Sequence, residues 1–190
     1  MANTRSILGW HAFSRRALNW AVTIASVVLC LLLLPTRFPG MELFGIAPNW
    51  LLIWVVAWSI KRSMWEGAVA GVVLGLLQDG MTADVPTRAI SLAVVGMLTA
   101  RLQKQRYIQE DFISVALIVF GMSVLSDTIT AVQFSWYSLR RPDNSVFFTI
   151  EEIWDYYQQV ALASAVLSSL WGPVLYYPLN HWWERQRERS

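Results

Sequence analysis

The sequence is short of charge. Only 15% of its residues are Asp, Glu, Lys or Arg, against about 25% in an average soluble domain. The charges cluster between long apolar blocks and are not spread along amphipathic faces, which excludes an ordinary soluble globule. Cysteine is nearly absent: Cys30 stands alone in an apolar run, so there is no intrachain disulfide and no CxxC or Cys/His metal spacing. Histidine is scarce as well. His11 and His181 both fall near the ends of the chain, which argues against a Ser/His dyad or a His-based metal site inside an apolar segment. The net charge of +2 carries no nucleic-acid footprint.

What fills the sequence instead is apolar. The hydrophobic fraction is 55% and the mean hydropathy is +0.41. Most of the eleven Trp lie near the ends of apolar blocks, where indole rings favour the headgroup layer of a bilayer. The expected class is all-α, an integral membrane bundle of six transmembrane helices in a single domain over residues 1–190. The spans are expected at about 17–34, 46–60, 64–78, 87–102, 112–134 and 156–179. The first follows a basic segment. It reads as a retained span because no Ala-x-Ala-like cleavage site comes after it. The second and third are short and separated by Lys61-Arg62. Two spans are expected here, since a re-entrant hairpin would hold both cations at depth, at about 2.5–3.5 kcal/mol each. Thr149 and Glu152 fit a capping box for a last helix starting near Ile150, and Gly172-Pro173 is expected to kink that helix.

Basic residues set the orientation. With both termini cytoplasmic, the inner segments hold eleven Lys and Arg, from Arg5 to Arg189. The outer segments hold four: Arg37, Arg88, Arg140 and Arg141.

Gly67, Gly71 and Gly75 recur every four residues within GAVAGVVLGLLQDG, and Asp79 is next in that row. At helical pitch this stacks bare backbone on one face, which lets helices approach closely in lipid. The stretch is expected to be the central packing helix. Ala17, Ala21 and Ala25 form a second small-residue row.

Four polar residues are candidates for a partner or polar contact: Asn49, Asp79, Arg88 and Asp127. Asp127 lies inside the fifth span, with Ser123, Ser126, Thr128 and Thr130 nearby. A carboxylate there faces protein or water. It reads equally as a contact to a partner helix or small solute, or as an interhelical hydrogen bond or a protonated Asp near the outer interface. Asp79 reads more simply as a headgroup-level residue near Arg88. Trp50, Trp54 and Trp58 form a row that is a partner-binding ridge, a lipid-facing row or core. No catalytic residue, metal or cofactor is expected. Asp79 and Asp127 end at different expected depths, unlike a paired-aspartate intramembrane protease. Glu151-Glu152 resembles the paired glutamates of a CAAX-type membrane protease, but no Arg follows at a useful spacing.

The middle of the chain carries a resemblance. Ala47-Pro48-Asn49-Trp50-Leu51-Leu52, then Lys61-Arg62, then Gly75-Leu76-Leu77-Gln78-Asp79-Gly80, then Ala89-Ile90-Ser91-Leu92, resembles the MreD family of rod shape-determining membrane proteins. The similarity covers about Ile46–Gln103, and Val85-Pro86 departs from the expected Gly before the fourth span. The resemblance implies a bacterial inner-membrane, multi-pass protein with no known catalytic site. It implies a scaffold that binds an MreC-like bitopic protein. Through the elongation complex this would connect to the MreB filament, a RodA-type glycosyltransferase and a penicillin-binding transpeptidase, besides membrane lipid. The family is also similar in fold to the S components of energy-coupling-factor transporters. A vitamin-binding S component is therefore the alternative, and the alanine row fits the face by which S components dock.

Overall fold

A computed structural model describes the backbone of residues 4–36, 45–82, 86–104, 111–140 and 150–188. It describes side chains within 17–36, 45–82, 86–102, 111–137 and 158–185, together with Trp154. The elements are six α-helices: α1 (Thr4–Leu33), α2 (Trp50–Ser59), α3 (Met64–Thr82), α4 (Ala89–Lys104), α5 (Phe112–Arg140) and α6 (Ile150–Glu188).

Local chemistry starts several of the helices. Pro48 has no N–H, and Asn49 caps α2 by accepting from Leu52 N at 3.1 Å, so α2 begins later than its apolar run. Ser63 and Glu66 form a capping box for α3: Ser63 N donates to Glu66 Oε2 at 2.9 Å, and Glu66 N donates to Ser63 Oγ at 3.4 Å. Asp111 O accepts the first α5 bond, from Val115 N at 3.1 Å. The last helix begins at Ile150 as expected, although the capping-box side chains of Thr149 and Glu152 lie outside the described residues. It runs on through both Pro173 and Pro178.

The centre of the bundle is α2, not the glycine helix α3. α2 packs on all five other helices, and Trp50–Ala57 and Ser59 are buried on every side. Its ten residues span about 15 Å, roughly half the hydrocarbon core. A helix enclosed by protein does not need to match the bilayer. The non-helical backbone that leads into it is satisfied internally, as irregular backbone at depth must be: Asn49 N donates to Ser168 Oγ on α6 at 3.0 Å.

The tryptophan row is core. Trp54 stacks on Trp58 with centroids 5.3 Å apart, and its Nε1 donates to Ser26 Oγ on α1 at 2.8 Å. Trp50 and Trp58 meet Trp171 and Trp183 of α6 edge-on, at 5.6 and 5.1 Å. At the far end Lys61 pairs with Glu184, and the Arg62 guanidinium lies 4.4 Å from the Trp58 ring centroid. The α2–α3 turn is thus fastened to the C-terminal part of α6.

Large apolar side chains cover the outside as well as the core, and several hydroxyls are buried. Ser59, Ser123 and Ser168 are fully buried, while Trp20, Leu32, Leu76, Ile113, Leu117 and Leu170 are more than half exposed. That surface suits lipid and not water. By length and composition, Phe112–Tyr137 and Gln158–Arg185 are long and apolar enough to cross a membrane. Ala17–Leu33, Trp50–Ser59 and Ala89–Leu102 are shorter apolar helices.

Candidate functional site

The glycine row forms a seam with α4. A Cβ on Gly67 would stand 2.4 Å from Gly96 O, one on Gly71 2.2 Å from Leu92 O, and one on Gly75 2.3 Å from Ala89 Cα. The obstacles are backbone atoms, so only a separation of the helices would make room. The opposite face of α3, with Val69, Val73 and Leu76, is exposed. Gly96 is the partner that sequence reasoning missed. The signal was present in Ala89, Ala93, Gly96 and Ala100, a small-residue row at helical spacing on α4. Gly172, read from the sequence only as part of a kink, is also a packing contact: its Cβ would lie 2.8 Å from Val119 Cγ2, where α6 crosses α5.

Asp79 closes the seam. Its carboxylate accepts from Thr87 Oγ1 and from Arg88 N, the latter at 2.9 and 3.1 Å to its two oxygens. Arg88 O accepts in turn from Leu92 N at 3.1 Å, the first turn of α4. A carboxylate thus sits on the positive end of α4 and fixes where that helix starts relative to α3.

Beside this cap is a polar cavity of about 220 Å³, where the N-terminus of α2 meets α3, α4, α5 and α6. Asn49, Gln78, Arg88, Ser91, Asp127 and Ser164 line it. Asn49, Arg88 and Asp127, far apart in sequence, therefore share one space, and Asp79 adjoins it through the Arg88 backbone. Gln78, Ser91 and Ser164 belong here too, and sequence reasoning did not single them out as site residues. Gln78 is only 3% exposed. Its Oε1 and Asp127 Oδ2 are both buried without a hydrogen-bond partner among the described residues. Asp127 also lines a second cavity, of about 210 Å³ between α5 and α6, whose walls include Val124, Ala131, Ala161 and Leu162.

The alanine row does not join either feature. Ala17, Ala21 and Ala25 are all exposed on α1, which reaches the core through Cys30, Thr23 and the Ser26–Trp54 bond. Among the described residues no group of three or more His, Cys, Asp or Glu is placed to hold a metal ion.

Helices packed through buried hydroxyls and glycines, with an apolar exterior, define the class as a helical membrane bundle. The family model for the rod shape-determining protein MreD matches residues 14–174. The chain belongs to the MreD family, which are shape-determining membrane proteins and not a known enzyme family. Among curated proteins nothing matches.

Proposed function

We propose that the chain crosses the bacterial inner membrane six times, with both termini cytoplasmic. It acts there as a scaffold of the cell-elongation complex, binding an MreC-like bitopic protein. Through that partner it bears on the MreB filament, a RodA-type glycosyltransferase and a penicillin-binding transpeptidase, and so on lateral peptidoglycan synthesis.

Beyond family membership, two observations support this reading. The glycine row is consumed within the fold by α4, whereas the alanine row of α1 is left facing outward. A helix on the rim of the bundle that presents Ala17, Ala21 and Ala25 offers a close-approach face to another transmembrane helix. The pairing of Lys61 with Glu184 supports the six-crossing path, because it sets the α2–α3 turn at the same end as the C-terminal part of α6.

The test is purification of the tagged full chain from native membranes, with identification of bound proteins. An MreC-type protein or a cell-wall synthase is the expected companion. The polar cavity favours a second reading, a solute-binding S component, and recovery of a transporter coupling subunit with a bound vitamin would establish that instead.

A further inference from the structure

We propose that the protein thins the bilayer beside α3 and α4, so that the membrane meets the bundle in a step and not at one level. On the outward face of α3, Val69, Val72, Val73, Leu76, Leu77 and Met81 are exposed. Charge bounds that stretch. Glu66 is held in the first turn by a bond from Ser63 N, and Asp79 by bonds from Arg88 N. Both carboxylates are tied to backbone, so neither reaches toward water as a long basic side chain does. They stand about 20 Å apart along the helix, and tilting α3 only shortens the depth it covers. On α4 the distance from Arg88 to Arg101 is also about 20 Å. The hydrocarbon core of a bilayer is about 30 Å thick. α5 differs: its exposed apolar side chains run from Phe112 and Ile113 to Val132 and Trp136, about 36 Å.

The excess of α5 falls at one end. Arg88 and Asp127 line the same cavity of about 220 Å³, so the start of α4 and Asp127 lie at about one level. From there α5 continues for about 8 Å to Val132 and about 14 Å to Trp136. Pro86, just before α4, lines a further cavity of about 410 Å³ with Val132 and Trp136. The apolar face of α3 and α4 thus stops where that of α5 runs on. At the opposite end the edges are closer. Lys61 pairs with Glu184 and Phe112 stacks on Tyr177, and those two partners are about 10 Å apart along α6. A bilayer that covers α5 must therefore thin beside α3, which lipid permits at modest cost for each ångström. Phospholipid with short or splayed acyl chains is what this flank fits. The inference rests on α3 and α4 crossing the bilayer, as the six-crossing path has them, and not on any partner protein.

Single cysteines in place of Trp65, Met81 and Val132 test it. A membrane-impermeant maleimide is applied to right-side-out and to inverted membrane vesicles containing the full chain. The native Cys30 is buried. Met81 and Val132 are similarly open in the bundle, 56% and 53% exposed, and Val132 lies at least as far toward the stepped end. Met81→Cys is expected to react about tenfold faster than Val132→Cys, because apolar surroundings suppress the thiolate and lipid covers only the second. Solubilisation in SDS should remove the difference. Trp65→Cys is expected to react from the opposite side of the membrane. Equal rates at the two positions, or a faster reaction at Val132→Cys, would overturn the proposal, and the end of α5 would then stand in water, open to a protein partner. Reaction of Trp65→Cys and Met81→Cys from the same side would instead remove the crossing of α3, and the six-crossing path with it.

Discussion

Gly67 and Gly96 meet backbone to backbone across α3 and α4. A Cβ on Gly67 would lie 2.4 Å from Gly96 O, and one on Gly96 would lie 2.2 Å from Gly67 O. Neither position has room for even a methyl group, and the reciprocity shows two helices in contact through their main chains. Lipid tails are as apolar as Leu, so burying side chains gains little here. Close approach, with its dense dispersion contacts, is what holds such helices together.

Gly71→Leu and Gly96→Ala should therefore destabilise the bundle, by about 1–3 kcal/mol or more, because the clash is with backbone that cannot rotate away. Gly80→Ala is the control. It is in the same helix but has nothing within 4 Å of its Cβ, and Ala gains up to about 1 kcal/mol of helix propensity. Melting temperature and membrane accumulation check this. Normal values for Gly71→Leu would contradict the seam.

Asp79→Ala should lower stability by about 1 kcal/mol, the usual worth of a helix cap. Asp79→Asn should lose less, since its remaining carbonyl oxygen can still accept from Arg88 N. Thermal melting of the two variants gives the order. Equal loss in both would point to the charge on the end of α4, and no loss in either would show that the cap is dispensable.

Ala21→Leu changes a residue that faces away from the bundle. Its melting temperature should hold, since exposed substitutions are usually within about 0.5 kcal/mol. Recovery of an MreC-like protein with it should fall several-fold if α1 is the docking face. Undiminished recovery would move the partner to another surface.

A reporter fused after Ser190 should lie in the cytoplasm, with six crossings and a positive-inside bias. An external signal would remove the six-span count.

Much of the packing face was legible. Three glycines four residues apart fit either a packing face or an accidental spacing on an apolar helix, and the row falls on α4. What that row did not reveal was its rank. The glycine helix reads as the centre, yet the centre is α2, whose run from Trp50 to Ala57 has no polar face to betray orientation. A helix that is apolar all round is either facing lipid or wholly enclosed, and periodicity cannot separate the two. The tryptophan row illustrates the same ambiguity. Trp50, Trp54 and Trp58 fit an outward ridge as well as a core, and Trp171, Trp183 and Ser26 settle it.

Composition and spacing alone determined that this is a helical membrane bundle with a close-packing row and sparse polar residues, because those properties depend on periodicity within single helices. Only the tertiary structure decided that Asn49, Gln78, Arg88 and Asp127 share one cavity. They come from four different stretches of chain. Which faces of separate helices meet is fixed by packing between them, and no local pattern encodes that.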